Sequence, residues 1–382
     1  MDPSPVPTNP ELTGEPEMLQ EAEARVFYAT QWQLMWWKFR KHKAAMVALV
    51  IIVIMYLGAV LAPMIAPYRA DERHRGYVYV PPQKIRFLDR QGFSLRPFVY
   101  PLRQEMDMQT LQRHFIEDPT TRVPIHFFVR GSAYKLFGLF KTDIHLFGAE
   151  GGKVFLFGTD DLGRDMFTRI LFGGQISMSI GLVGVFLSLL LGLLFGGISG
   201  YYGGAVDNII QRIIEVLRSF PTIPLWMALS AALPPDLSPI GVYMGITIIL
   251  SLIGWTALGR QVRGKVLAIK NEDFVIAARL SGTSEPKIII SHLIPSFMSH
   301  IIASLTLAIP QMILAETSLS FLGIGLRPPV VSWGVMLQKA QNVHTLMMAP
   351  WLLIPGIFVI FYVLAFNFLG DGLRDAADPY GN

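Results

Sequence analysis

Runs of about twenty apolar residues, the length a helix needs to cross a bilayer, recur along this chain and constrain it more than any other feature. They are Ala44–Ala66, Gln175–Tyr201, Ile209–Leu233, Ile240–Gly259, Met298–Leu322 and Trp351–Leu369. A backbone inside hydrocarbon must satisfy its own polar groups, so each run is expected to be a helix, and the polar stretches between them lie outside the lipid. Composition agrees. Of 382 residues, 52% are hydrophobic and only 16% charged, with a mean hydropathy of +0.44, fewer charges than the roughly 25% of a soluble domain. The expected fold class is an all-α polytopic membrane protein with six transmembrane helices. The net charge of +4 is small for this length and calls for no nucleic acid. Cysteine is absent, which excludes disulfides, thiolate metal sites and a cysteine nucleophile.

Residues 1–27 are rich in Pro and Glu and poor in apolar side chains, so a disordered cytoplasmic tail is expected there. It is no signal peptide, lacking both a basic start and a following apolar run. Residues 28–43, YATQWQLMWWKFRKHK, mix three Trp with Lys38, Arg40, Lys41 and Lys43. They read as an interfacial elbow helix, and the cations place the N-terminus in the cytoplasm. The first span, 44–66, therefore runs outward. Residues 67–158 contain no spanning stretch. Segments such as GYVYVPPQKIRFLD, RPFVYPL and VPIHFFVRG alternate aromatic or β-branched residues with polar ones, which predicts short strands, and Met106–Asp118 reads as a helix. The result is a small β-rich extracytoplasmic insert between the first two spans. Its histidines, His74, His114, His126 and His145, form no close-spaced ligand pair, so no metal site is expected.

In the second span Gly192, Gly196 and Gly200 recur every four residues, lining one face where a neighbouring helix packs closely. The third carries Arg212, Glu215 and Arg218 near its cytoplasmic end, and Pro221 and Pro224 should bend it. After the fourth come Arg260, Arg263, Lys265 and Lys270, the positive flank expected of a cytoplasmic face. Glu316 lies within the fifth span and must face protein or water with a partner; it is either a pathway or gate residue or a buried interhelical lock. Arg327–Asn342 reads as an external re-entrant or interfacial segment with Trp333 at the boundary. Six spans put both termini inside.

Counting spans places Asn271–Phe297, NEDFVIAARLSGTSEPKIIISHLIPSF, in the cytoplasm. The segment predicts two short helices hinged at Gly282, which adopts positive φ with little strain, with Pro295 presetting φ for a helix start. The small side chains of Ala277 and Ala278 let another surface approach the backbone. No GxxxxGK[ST] phosphate loop, HExxH zinc helix or GxSxG elbow is present, so the chain has no nucleotide chemistry of its own.

The alanine pair, Gly282 and Pro295 resemble the EAA loop of permease subunits of binding-protein-dependent ABC importers. Ile276 stands where that pattern usually has Glu, and Ser296 follows Pro295 where relatives often have Asn. GTDDLGRD, from Gly158 to Asp165, is similar to the segment before the second helix of oligopeptide and dipeptide importer permeases of the C type; there Thr159 or Asp160 is expected as the helix cap, and Gln175 replaces a frequent Arg. AETSLSFLGIGL and the ending GDGLRDAADPY resemble the same family. The resemblance is weak over 44–66 and strong from Phe155 to the C-terminus, where the permease transmembrane domain is expected at 159–382, and it does not reach the N-terminal tail or most of the insert.

What it implies is a non-enzymatic subunit that forms half of a translocation pathway for peptides, or alternatively for oligosaccharides or nickel. Its partners would be a second homologous permease, two ATPase subunits that carry ATP and Mg, an extracytoplasmic solute-binding protein and membrane lipid. No cofactor is expected on the chain itself. In that family's mechanism the coupling loop docks on the ATPase, which assigns contact and hinge positions to Ala277, Ala278, Gly282 and Pro295. Two other classes, an ion-coupled carrier and a membrane-embedded enzyme, would need paired midplane charges or a clustered catalytic set. Only Glu316 qualifies for the first, and nothing for the second.

Overall fold

A computed structural model describes residues 30–89, 92–106, 113–136, 138–149 and 151–377; the tail at 1–27 lies outside them. Helix α1, Gln31–Lys41, opens with a capping box: the Thr30 hydroxyl accepts from the Gln33 backbone N–H, and the Gln33 side chain accepts from Thr30 N–H. This satisfies two of the donors that a helix start otherwise leaves unpaired. His42 breaks the path and caps α2, Lys43–Val60, by accepting from Ala45 N–H. A further turn, α3, Ala62–Ile65, closes this apolar helix. Residues 28 and 29 of the expected elbow are outside the described chain.

Six strands follow, β1 Arg86–Asp89, β2 Gly92–Val99, β3 Leu102–Met106, β4 Arg113–Glu117, β5 Val123–Leu136 and β6 Phe140–Ala149. The larger sheet is antiparallel in the order β1-β2-β5-β6. Its inner face buries Val99, Val123, Ile125 and Phe147 against Val154 and Phe167. The helix expected over Met106–Asp118 is overturned at its described ends, where β3 and β4 pair from Leu102↔Glu117 to Met106↔Arg113. Cross-strand partners satisfy those backbones, and tertiary pairing overrides the weak local preference. The β5–β6 hairpin is pinned to α3 through His145, whose Nδ1 lies 2.6 Å from the Ala66 carbonyl and Nε2 3.0 Å from the Ser132 carbonyl.

The bundle proper begins with α4, Met166–Tyr202, which starts nine residues earlier than the apolar run suggests. Its cap is Asp165, which accepts from Thr168 N–H at 2.8 Å, rather than Thr159 or Asp160. Asp160 instead accepts from the backbone N–H of Leu162 and Arg164 and pairs with the Arg164 guanidinium at 2.7 Å. A carboxylate already held by its own turn is not free to cap the next helix. Burial pushes the Asp165 carboxyl up to about 7. Because the folded state holds this proton more tightly than the unfolded chain, the associated stability is full below the ordinary carboxylate range and is lost as pH rises through about 7. Asp165→Asn keeps a cap and removes the buried charge, so its stability relative to wild type should rise between pH 4 and 8, by on the order of 2–4 kcal/mol. Thermal unfolding of both proteins across that range measures it; parallel curves would contradict the assignment.

The expected third span, Ile209–Leu233, is two helices. These are α5, Gly204–Ser219, and α6, Thr222–Ala231, with Phe220 extended and Pro221 capping the second. Proline strips the donor and clashes with the preceding turn, so the bend expected there becomes a break. Then come α7, Pro239–Ile269; α8, Asp273–Leu280; the turns α9, Glu285–Ile288, and α10, Ile294–Ser296; α11, Met298–Phe321; α12, Trp333–Gln338; α13, Val343–Met348; and α14, Ile354–Ala377. Trp351, expected to open the last span, lies in a 3-10 turn before α14. Among the described residues five helices are long and apolar enough to cross a membrane: α2, α4, α7, α11 and α14 with its preceding 3-10 turn. Many of their outward side chains, such as Val50, Ile54, Leu190 and Phe361, are exposed, as a lipid-facing surface requires. The first and last long helices are clasped by Tyr56 and Tyr362, whose hydroxyls lie 2.7 Å apart.

Candidate functional site

The segment 271–297 joins α7 to α11 at one end of the bundle. Helix α8 buries Val275 and Ala278 against Tyr201, Val266, Ile288 and Leu293, while Phe274, Ile276, Ala277 and Leu280 stay exposed. It ends in a Schellman motif: Gly282 N–H donates to the Arg279 carbonyl and Thr283 N–H to the Ala278 carbonyl, both at 3.1 Å, with Gly282 at φ +79°. A Cβ on Gly282 would meet nothing within 4 Å. The glycine is therefore needed for its backbone conformation and not for room. The Arg279 guanidinium stacks over the Tyr201 ring at 5.8 Å, tying the segment to the end of α4.

Ala277 and Ala278 thus divide, the first exposed and the second in the core. Pro295 is exposed, but it does not restart a helix as expected. The path from Glu285 to Ser296 is continuous, widening into a π turn at Ile289–Leu293, and the true break falls at Phe297, φ −121°, before α11. A proline removes one backbone hydrogen bond, and the widened turn beside it accommodates the loss.

Gly192, Gly196 and Gly200 face α7. A Cβ on Gly192 would lie 2.9 Å from a Leu258 methyl, one on Gly196 2.5 Å from the Gly259 carbonyl oxygen, and one on Gly200 2.8 Å from Val266 Cβ. An interaction that the pattern of residues did not reveal locks the same end. The Arg263 guanidinium on α7 grips Asp207 on α5 through two bonds, of 2.6 and 2.5 Å. A pair 56 residues apart leaves no local signal; only the presence of an acidic residue at a helix start hinted at it.

Glu316 is wholly buried. Its carboxylate accepts from the hydroxyls of Ser320 and Ser332 at 2.8 Å and of Ser177 at 3.2 Å. Each serine in turn accepts a backbone N–H: Ser320 from Leu326, Ser332 from Val335 and Ser177 from Trp333. One carboxylate therefore organises the turn after α11, the start of α12 and a contact on α4. Trp333, expected at a membrane boundary, is 2% exposed. Its indole N–H donates to the Ile170 carbonyl at 2.9 Å, which satisfies the ring's one polar group inside the protein.

Between α4, α6, α7 and α11 lies a groove of about 760 Å³. Its walls are mainly apolar, crossed by the neutral polar groups of Ser188, Gln261, Ser304 and Gln311. Lys265 and Arg374 line its end nearest the 271–297 segment. No Asp or Glu lines it. Among the described residues no group of three or more His, Cys, Asp or Glu is placed to hold a metal ion.

Residues 188–380 match the family described as binding-protein-dependent transport system inner membrane component, and residues 30–82 match the N-terminal TM domain of oligopeptide transport permease C. The chain is 42% identical over 225 residues to the dipeptide transport system permease protein DppC of Bacillus subtilis, covering 58% of this chain and 68% of that one. It is 40% identical over 224 residues to the oligopeptide transport system permease protein OppC of the same organism, covering 58% and 71%. Against the dipeptide transport system permease protein DppC of Haemophilus influenzae the identity is 30% over 352 residues, covering 92% and 95%. Among solved structures, inward facing conformations of the MetNI methionine ABC transporter superpose with a TM-score of 0.43 at 16% identity, covering 56% of this chain and 98% of that one.

Proposed function

This chain belongs to the binding-protein-dependent transport system inner membrane component family, and from that premise we propose that it forms half of a translocation pathway for peptides. It is a permease subunit of an ABC importer and not itself an enzyme. Peptides are the cargo best supported, because the relatives are named for dipeptides and oligopeptides and the groove offers neutral polar groups on apolar walls. Nickel would need a ligand set that the described residues do not assemble.

In this reading the importer comprises this chain, a second homologous permease, two ATPases that hold ATP and Mg, and an extracytoplasmic solute-binding protein. Helix α6, joined to α5 across the Pro221 break, makes the sixth crossing, both termini are cytoplasmic, and the strands of 67–158 form the extracytoplasmic insert. The observation that carries coupling is the knob at α8. Its exposed Phe274, Ala277 and Leu280 have no cover in this chain, while Val275 and Ala278 root it in the bundle. Closure of the ATPase pair acts on Ala277 and Gly282, Ala278 transmits the push into the core, and Pro295 with its π turn yields on the far side. A ligand shifts such an equilibrium only by binding its two states differently, so the knob must fit the ATPase better in one state than in the other.

Gly282→Asp tests this. A side chain at φ +79° is strained by roughly 1 kcal/mol, too little to unfold the bundle, yet it adds charge to the proposed contact. The variant should reach the membrane in normal amount while substrate uptake falls at least tenfold relative to ATP hydrolysis. Unchanged uptake refutes the coupling role.

A further inference from the structure

Helix α7 carries cations of two kinds. Arg263 is consumed by Asp207 on α5. Lys265, two residues on, lines the groove, and so does Arg374 from α14; neither forms an ion pair among the described residues. A cation whose only task is to flank the bilayer can do so from the lipid side. These two converge on a cavity that contains no carboxylate to neutralise them, at its end nearest the coupling segment. Elsewhere the lining polar groups are the His300 ring, the Trp226 indole and the amides and hydroxyls of Ser188, Gln261, Ser304 and Gln311, the last four able to donate to and accept from a peptide backbone. From Lys265 back to Gly254 the α7 wall runs roughly 16 Å at the helical rise, the length of four or five extended residues at about 3.4 Å each.

We propose that Lys265 and Arg374 form the carboxylate-receiving end of the groove, so that a peptide travels with its C-terminal carboxylate toward the coupling segment. This rests on the peptide-transport reading above and adds to it a direction and a preference. A cationic end with no Asp or Glu in its lining favours solutes whose leading group is an anion and disfavours those led by a positive charge. The backbone is then held by neutral hydrogen-bonding groups along walls whose apolar side chains tolerate varied residues.

The test uses the complete importer, with its ATPases and binding protein, reconstituted in vesicles. Uptake of one tetrapeptide is compared with uptake of the same tetrapeptide amidated at its C-terminus, for wild type, for Lys265→Gln and for the Lys265→Gln, Arg374→Gln pair. Taking the ratio of acid to amide cancels the binding protein's own preference. The ratio should fall about threefold in the single variant and roughly tenfold or more in the double, the scale of losing a charge-assisted hydrogen bond. An unchanged ratio overturns the proposal. Equal losses for acid and amide do the same, because the anion on these cations would then be a lipid phosphate rather than the solute. Wild-type vesicles that take up neither peptide would instead remove the transport reading, and this inference with it.

Discussion

Gly196→Leu should lower the thermal midpoint of the detergent-solubilised protein by roughly 5–10 °C, the counterpart of about 3 kcal/mol in a chain of this size. Even a single Cβ at this position would sit 2.5 Å from the Gly259 carbonyl oxygen and 2.8 Å from Val262 Cβ. One of these obstacles is backbone, so no rotamer change relieves it, and α4 and α7 must separate. Small residues let membrane helices approach because van der Waals contact, not water exclusion, holds them together. Gly264→Leu, where an added Cβ meets nothing within 4 Å, supplies the comparison and should move the midpoint by about 2 °C or less. Equal shifts in the two variants would show that the glycine face is not what fixes the contact.

Glu316→Ala should free the segment from Gly323 to Val335. Three serine hydroxyls lose their common acceptor, and through them the N–H groups of Leu326, Trp333 and Val335 lose oriented partners. Leaving buried donors unsatisfied costs about 1–3 kcal/mol each; a net loss of about 3 kcal/mol corresponds to amide hydrogen exchange roughly 100-fold faster at these three positions. Glu316→Gln keeps one acceptor oxygen and should show a smaller change, about tenfold. If exchange at Leu326 and Val335 is the same in wild type and Glu316→Ala, the carboxylate is not the organiser of this region. The bonds to Glu316 come from Ser177, Ser320 and Ser332, on three separate parts of the chain, and it does not line the groove.

The long apolar helices and the position of the polar segment between α7 and α11 were legible in the residues, because hydrocarbon leaves a backbone so few options. So was the role of Gly282 as a helix terminator, which depends on its own φ and on bonds within five residues. What escaped prediction depends on distant partners. The helix cap passed to Asp165 because Asp160 was committed to Arg164. The enclosure of Trp333 by the protein depends on the Ile170 carbonyl, which receives its N–H. Arg113–Glu117, expected in a helix, became a strand because Leu102–Met106 came alongside it. The groove itself has no sequence signature, being assembled from stripes of four helices and the tip of a fifth.

The His145 joint has a consequence of its own. Both of its ring nitrogens face carbonyl oxygens, those of Ala66 and Ser132, and oxygens of that kind only accept. The ring therefore meets the hairpin with one nitrogen and the end of the first long apolar helix with the other. Because both partners are main-chain carbonyls, one within β5 and one at the end of α3, the joint outlasts any side-chain replacement at Ala66 or Ser132 that leaves the backbone in place.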